Sequence, residues 1–137
     1  MNKQELKQIF YYRKEIDMWQ EELDKLRGTG LQSPKLDGMP RSQKISDSTG
    51  SRAVTIADIE YIIEDLQYRI LIKTKEIYEY IRRLDDSMLR QIIKYRCVEL
   101  CTWQEVADRI GGGNTENSVK MMYHRHFEKD QEVTHVT

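Results

Sequence analysis

The sequence predicts an all-α protein in which a long antiparallel helical hairpin precedes a three-helix helix-turn-helix domain. Apolar residues recur at alternating spacings of three and four, which is typical of helices that pack along one another. Seven Gly and two Pro in 137 residues are too few for an all-β chain, which needs a turn every ~10 residues. The 22 basic and 23 acidic side chains give a formal net charge of −1, so any nucleic-acid binding depends on where charge is placed locally.

Membrane and secretory segments are not expected. No apolar run approaches the ~18 residues of a membrane-spanning helix, and the N-terminus MNKQELKQ lacks the apolar core of a signal peptide. Two cysteines, Cys97 and Cys101, are too few for a disulfide framework and fit a reducing compartment. We therefore expect a cytoplasmic protein without a membrane partner.

Residues 1–27 are predicted to form the first helix of the hairpin. They contain no Gly or Pro, and their regularly spaced apolar positions are Ile9, Tyr12, Ile16, Trp19, Leu23 and Leu26. Gly28 and Gly30 are predicted to end this helix, because glycine is common just after a helix C-terminus. Residues 28–52 hold four of the seven Gly, both Pro and the element Gly38-Met39-Pro40, and are interpreted as a flexible loop, with a functional loop as the alternative.

The second helix of the hairpin is predicted to begin at Thr55, where Thr55-x-x-Asp58 matches an N-terminal capping box. Its seam of regularly spaced residues consists of Ile56, Ile59, Ile63, Leu66, Ile70, Lys73, Ile77, Tyr80 and Leu84. The Lys73 ammonium either extends past the end of the partner helix or fixes the register between chains. Six tyrosines are interpreted as half-buried packing residues, with an interaction surface as the alternative: Tyr11, Tyr12, Tyr61, Tyr68, Tyr78 and Tyr80. The hairpin is assigned to residues 1–84.

Residues 85–130 are predicted to hold three short helices. Asp85-Asp86-Ser87 caps the first of them, and Thr102-x-x-Glu105 is a capping box for the second, TWQEVADRI. Gly111-Gly112-Gly113-Asn114 forms the turn to the third. Two short helices joined by a tight turn have the outline of a helix-turn-helix.

The last helix is predicted to begin after the capping residue Thr115 and to run to about Lys129. Its inward face is formed by Val119, Met122, Tyr123 and His126. Residues 131–137 show no periodicity and are predicted to form a frayed tail.

The opposite face of this helix is the candidate nucleic-acid-binding surface. Four residues at i, i+3, i+4 and i+7 share it: Asn117, Lys120, Met121 and His124. Asn and Lys side chains hydrogen-bond base edges in the DNA major groove, while Arg125 and Lys129 suit the sugar-phosphate backbone. The alternative is a plain helical packing unit with a solvated polar stripe.

No metal site, cofactor or catalytic centre is predicted. His124 and His126 lie two residues apart on a helix and point about 200° away from each other, so both cannot reach one zinc ion. Cys97 and Cys101 are instead interpreted as buried or half-buried free thiols. The glycine run lacks the Lys-Ser or Lys-Thr ending of a phosphate-binding loop, and no catalytic dyad or triad stands out. The chain is not predicted to be an enzyme.

The segment from about Leu84 to Phe127 resembles region 4 of the sigma-70 type transcription factors. The matching elements are Thr102-Trp103-Gln104-Glu105-Val106-Ala107, Gly111, Thr115-Glu116-Asn117-Ser118-Val119-Lys120 and Arg125. The whole layout, a helical hairpin with a Gly38-Met39-Pro40 loop before this module, is similar to the ArpU-like late-gene transcriptional regulators of phages and prophages. The resemblance implies a DNA-binding C-terminal module and an N-terminal hairpin for assembly.

The expected function is activation of phage or prophage late genes. The last helix would enter the major groove of double-stranded DNA, with Asn117, Lys120 and His124 toward the bases. The residues expected on the sugar-phosphate backbone are Thr115, Arg125 and Lys129. The hairpin would form a homodimer or dock on RNA polymerase. Two alternatives remain: a small terminase-like DNA-packaging subunit, and a protein-binding helical adaptor.

Overall fold

The computed structural model describes the backbone of residues 1–31 and 42–136, and every regular element in these residues is helical. The all-α prediction is therefore confirmed. The helices are α1 (Lys3–Leu6), α2 (Gln8–Leu31), α3 (Ser42–Arg82), α4 (Ser87–Ile93), α5 (Trp103–Ile110) and α6 (Glu116–Val136). A π-helical turn, Lys94–Val98, continues α4. None of these helices combines the length and the apolar character that crossing a membrane requires.

The predicted boundaries of the first two helices are wrong. Helix α2 continues through Gly28 to Leu31, and α3 begins at Ser42, well before Thr55. Thr55 is therefore no N-cap, and its hydroxyl donates to the Ser51 carbonyl one turn earlier in the same helix, at 3.0 Å. Extending an existing helix avoids the cost of nucleation, which outweighs a glycine penalty of about 1 kcal/mol.

The loop and tail predictions are affected in the same way. The predicted loop 28–52 is helical at its two ends, while its centre, including Gly38-Met39-Pro40, lies outside the described residues. The predicted frayed tail, 131–137, belongs to α6 as far as Val136. The segment from 131 onward contains no Gly or Pro that would break a helix, so α6 continues into it.

The chain forms two compact units. The smaller unit is Tyr12–Arg69, and the larger unit joins Met1–Tyr11 to Ile70–Thr137. The functional division at residue 84 stays a prediction.

In the smaller unit, parts of α2 and α3 pack side by side. Their buried residues are Leu23, Ile59 and Ile63, against which Ile16, Trp19, Leu26 and Ile56 pack. The Arg27 guanidinium lies 2.9 Å from the Glu60 carboxylate, and both side chains are about half exposed. Burial of each Leu or Ile side chain contributes about 1.5–3 kcal/mol, so this apolar seam stabilises the pair far more than the exposed ion pair does.

The larger unit holds the more extensive core. Its fully buried side chains are Leu6, Ile9, Ile77, Ile92, Ile93, Val106 and Val119. The Tyr80 hydroxyl lies 2.6 Å from His126 Nε2 and joins α3 to α6. Lys73, the polar residue of the α3 seam, places its ammonium 2.9 Å from the Glu76 carboxylate on the same helix. The Lys73 side chain is 18% exposed, so most of it is buried while its charge is paired within α3, and the two alternatives for its role stay predictions.

The interpretation of the tyrosines as half-buried packing residues is wrong for Tyr61 and Tyr68, which are mostly exposed, whereas Tyr11 and Tyr78 are about half exposed. Tyr80 is buried and Tyr12 is half-buried, as expected. The four exposed members, with their exposed fractions, are Tyr11 (53%), Tyr61 (72%), Tyr68 (62%) and Tyr78 (46%). Helical spacing alone does not distinguish a tyrosine on the buried face from one beside it. The alternative, an interaction surface, stays a prediction.

Two glycine substitutions should change stability in opposite directions. Gly111 has φ 69° and ψ −151°, a region that essentially only glycine occupies, although no atom would meet an added Cβ within 4 Å. We expect Gly111→Ala to lower the free energy of unfolding by about 1–3 kcal/mol through backbone strain. Gly50 lies inside α3 with equally open surroundings. Gly50→Ala should therefore raise the free energy of unfolding by about 0.5–1 kcal/mol, because alanine is more favourable than glycine inside a helix.

Urea unfolding followed by circular dichroism would measure both glycine variants. Because neither Cβ meets a neighbour, the pair separates backbone conformation from packing. Equal effects of the two substitutions would contradict the left-handed conformation of Gly111.

Candidate functional site

Helix α5 begins at the capping box that the sequence predicts. The Glu105 amide donates to Thr102 Oγ1 at 3.2 Å, and the Thr102 amide donates to the Glu105 carboxylate at 3.3 Å. Val106 and Ala107 are buried on the face of α5 that packs against α4 and α6. The small side chain of Ala107 allows the neighbouring helices to approach closely. Asp86 likewise caps α4, as predicted, by accepting from the Met88 and Leu89 amides.

The turn between α5 and α6 is held by its own hydrogen bonds. Gly111, Gly112 and Gly113 all have positive φ, a conformation that favours glycine. Asn114 Nδ2 donates to the Gly111 carbonyl at 2.8 Å. This bond closes the turn and places the following residue at the start of α6.

Thr115 takes the capping position that was predicted for it. Its Oγ1 accepts from the Ser118 amide at 3.2 Å, and its own amide donates to Ser118 Oγ at 2.9 Å. Helix α6 then begins at Glu116, whose negative charge is favourable in a first turn. The Thr115 hydroxyl is therefore already used in orienting α6.

Helix α6 has one buried and one exposed face. The buried residues are Val119, Tyr123 and Phe127. Phe127 was missing from the predicted inward face, although it lies four residues after Tyr123 and this spacing could have identified it. Of the predicted site residues on α6, Asn117, Met121, Arg125 and Lys129 are exposed and Lys120 and His124 are half-buried; Glu116 and Glu128 are exposed as well.

His124 lies beside aromatic rings. Its ring centroid lies 6.2 Å from that of Trp103 on α5 and 5.5 Å from that of Tyr123. Asn117 and Met121 are exposed at the other end of the same stripe. The predicted stripe is therefore exposed at Asn117 and Met121 and borders the rings of Trp103 and Tyr123 at His124.

Lysines from the N-terminus lie near His124. The pKa of His124 is lowered, first by desolvation and then by the positive charge of Lys3, with smaller contributions from Lys120 and Lys7 against an opposing one from Glu128. Lys3 and Lys7 were not among the predicted site residues. More than a hundred positions separate them from α6, and no local pattern signals their proximity.

Cys97 and Cys101 are both free and buried, which confirms the interpretation of the two thiols. The Cys97 sulfur lies 3.7 Å from the Tyr123 hydroxyl, so the two groups share a polar contact within the core. Burial raises the pKa of the Cys97 thiol to about 11 and also raises the pKa of Tyr123. Among the described residues, no group of three or more His, Cys, Asp or Glu side chains could hold a metal ion.

The raised pKa of Cys97 predicts a loss of stability at alkaline pH. The folded state favours the neutral thiol, so its contribution is complete below the unfolded-state pKa of 9.0 and is lost as pH rises toward about 11. In that window this group should lower the free energy of unfolding by about 1.4 kcal/mol per pH unit.

Urea unfolding at a series of pH values would measure this slope. Cys97→Ala should reduce the slope, whereas Cys101→Ala removes the other buried thiol and should leave the contribution of Cys97 in place. A slope that is the same in the Cys97→Ala variant and the parent would contradict the assignment.

The structure brings most of the predicted site residues to one side of α6 and adds the N-terminal lysines nearby. Asn117, Lys120 and Met121 share a face, and Arg125 lies exposed farther along the helix. Thr115 serves as the cap, and His124 borders the aromatic cluster. Comparisons with protein-family models, with characterised proteins and with solved structures found no match to this chain.

Proposed function

We propose that this chain is a DNA-binding transcription regulator, an activator of phage or prophage late genes that acts with the host RNA polymerase. In this proposal α5, the glycine turn and α6 work as a helix-turn-helix, and α6 enters the major groove. One observation carries the proposal: α6 is anchored by a buried apolar face and presents Asn117, Lys120 and Met121 together on the other side. A helix so anchored can offer a fixed set of side chains to base edges.

Each side chain has a role that its chemistry suits. Asn117 would bind adenine through two hydrogen bonds, Lys120 would donate to guanine or to a phosphate, and Met121 would contact a thymine methyl group. Arg125 and Lys129 would contact phosphates on one strand. His124 would reach a base at the end of the stripe. Thr115 would orient the helix. Its hydroxyl would contact the sugar-phosphate backbone of the DNA only through the hydrogen-bonding capacity that the cap leaves unused.

The N-terminal lysines support the electrostatic part of this proposal. The net charge of −1 provides no overall attraction to DNA, so binding depends on a local excess of positive charge. Lys3 and Lys7 lie close enough to His124 to lower its pKa, and they add to the charge of Lys120 on that side of the unit. Such a local concentration of charge favours contact with phosphates.

A protein partner would dock on α3. Val54, Tyr61 and Tyr68 lie seven residues apart on this helix and are 63%, 72% and 62% exposed. One exposed apolar side chain in every seven residues forms a stripe along the helix, which is one of the two apolar positions that pairing helices use. We assign this surface to a second copy of the chain or to RNA polymerase. The same observation favours a second candidate function, a helical adaptor that binds protein only.

Selection of binding sites from a random duplex DNA library with the purified protein would test the proposal. An enriched inverted repeat, with half-sites about one helical turn (~34–36 Å) apart, would support a dimeric regulator. A single enriched half-site would support a monomer that binds beside the polymerase. Enrichment of no sequence at low salt would contradict DNA recognition and favour the adaptor.

A matched variant would connect the selected sequence with α6. Asn117→Ala should lose preference at one or two adjacent positions, with a cost of about 1–3 kcal/mol there, and keep the rest of the site. Asn117 is exposed, so the substitution leaves the core intact. An unchanged consensus would show that α6 is not in the groove.

A further inference from the structure

A cleft of about 850 Å³ lies within the larger unit. One wall comes from the N-terminal residues and the other from the π-helical turn, α5 and α6. Clefts of this size accommodate small organic molecules. Lys3, Lys7 and His124 are shared with the proposed DNA-binding surface, whereas the aromatic and apolar lining of the cleft has no part in that proposal.

The walls of this cleft are largely apolar and aromatic. Leu6 is almost fully buried beneath it, and Phe10 is 41% exposed at its edge. On the opposite wall, the rings of Trp103 and Tyr123 meet edge to face, with centroids 5.2 Å apart. Aromatic walls of this kind offer a flat or branched apolar ligand a large contact area at little cost in side-chain entropy.

The charged side chains that line the cleft are all positive, beside neutral polar ones such as Asn2, Gln4 and Thr102. Lys3, Lys7 and Arg96 line it, and no Asp or Glu is among the lining residues that the structure describes. The Arg96 guanidinium lies 4.6 Å from the centroid of the Trp103 ring, and its Nη1 donates to the Cys101 carbonyl at 2.9 Å. These two contacts fix a planar group that can bind a carboxylate or sulfonate through paired hydrogen bonds.

A strained backbone position borders the same cleft. Leu100 has φ 58° and is the one non-glycine residue with positive φ in the described part of the chain. The left-handed conformation costs a bulky residue about 1–2 kcal/mol. The Cys101 amide donates to the Tyr95 carbonyl at 2.9 Å, a hydrogen bond typical of a helix C-terminus that ends in a left-handed residue, and this bond maintains the conformation. Leu100 thus ends the helical segment that carries Arg96 and turns the chain toward Trp103 at the start of α5.

We propose that this cleft binds a small organic anion that has a carboxylate or sulfonate on an aromatic or branched aliphatic body. The apolar body lies against Trp103, Tyr123 and Phe10. The anionic group is bound by Arg96 and by the N-terminal lysines. This inference goes beyond the proposed DNA-binding function and does not depend on it.

Titration of the full-length protein with anilinonaphthalene sulfonate would test the ligand site. The chain has two tryptophans, so a Trp19→Phe background leaves Trp103 as the only indole. We expect one saturable site, with quenching of Trp103 emission by energy transfer to the bound dye. Phenylnaphthylamine has the same aromatic body without the sulfonate, and it should bind about 10- to 100-fold more weakly because a charge-assisted contact is missing.

Variants of the cleft would separate charge from apolar contact. Arg96→Gln and, independently, Lys7→Gln should weaken binding of the sulfonate dye while leaving the neutral dye unaffected. Lys7 is exposed, so its replacement leaves the core intact if the Arg96 variant folds poorly. The matched control is Lys75→Gln, which removes one exposed charge from α3 at a residue outside this cleft.

The two dyes and the variants give clear opposing outcomes. The anion site is supported if the protein prefers the sulfonate dye, if both cleft variants reduce this preference, and if the control variant retains it. Equal binding of the two dyes, or full sulfonate binding by the Lys7→Gln variant, would reduce the cleft to an apolar patch and overturn the proposal. Neither outcome involves DNA, so the proposed regulatory function is tested separately.

Discussion

Replacing Ile92 with alanine is expected to lower the free energy of unfolding of the larger unit by about 2–5 kcal/mol. Ile92 on α4 has no exposed surface, and α4 packs against both α5 and α6. The substitution removes three buried carbon atoms and leaves a cavity, because rigid neighbouring helices close the space only in part. A loss of this size is a large fraction of the ~5–15 kcal/mol that stabilises a typical domain.

Trp103 provides a local measurement of this loss. In a Trp19→Phe background its fluorescence reports on the larger unit, since Trp103 belongs to it and Trp19 does not. The matched control is Met121→Ala on α6, which truncates a side chain that is 49% exposed and should change stability by no more than about 0.5 kcal/mol. Similar midpoints in urea for the Ile92 and Met121 variants would contradict the burial of α4.

The parts of the fold that depend on local chemistry were predictable from the sequence. Capping residues identify the start of a helix because their side chains bond to amides only two or three positions away, as Asp86 and Thr102 do. The apolar period likewise identified Ile63, Leu66 and Ile77 as buried, because a helix fixes which residues share a face.

Other features of the fold depend on competing energies or on distant contacts, which no single residue or local pattern indicates. Gly28 suggested a helix end, yet the helix continues because one glycine costs less than a new nucleus elsewhere. Tyr61 has suitable spacing for packing but lies on the exposed side of α3. The proximity of Lys3 to His124, and with it the cleft, arises only when the N-terminus packs in the larger unit. Contacts over such a sequence separation leave no local pattern.

Removal of two positive charges from α6 should weaken DNA binding strongly. We expect Lys120→Ala with Arg125→Ala to reduce affinity at low salt on the order of 10- to 100-fold, because each cation releases a counterion from a phosphate that it contacts. The slope of log affinity against log salt should fall by about 0.9 for each lost phosphate contact, and so by about 1.8 where Lys120 binds a phosphate and about 0.9 where it binds guanine. Fluorescence anisotropy of a labelled duplex at several salt concentrations would measure both quantities.

The control for this prediction must carry the same net charge. Lys75→Ala with Arg82→Ala removes two exposed cations from α3 and gives the same total charge as the α6 variant. If DNA responds only to overall charge, the two double variants should lose affinity equally, and the assignment of α6 would be wrong. If α6 makes the contacts, the α3 variant should keep its salt slope. Lys120→Arg with Arg125→Lys should then restore the slope lost in the alanine variant, because phosphate contact depends on charge more than on the geometry of either group.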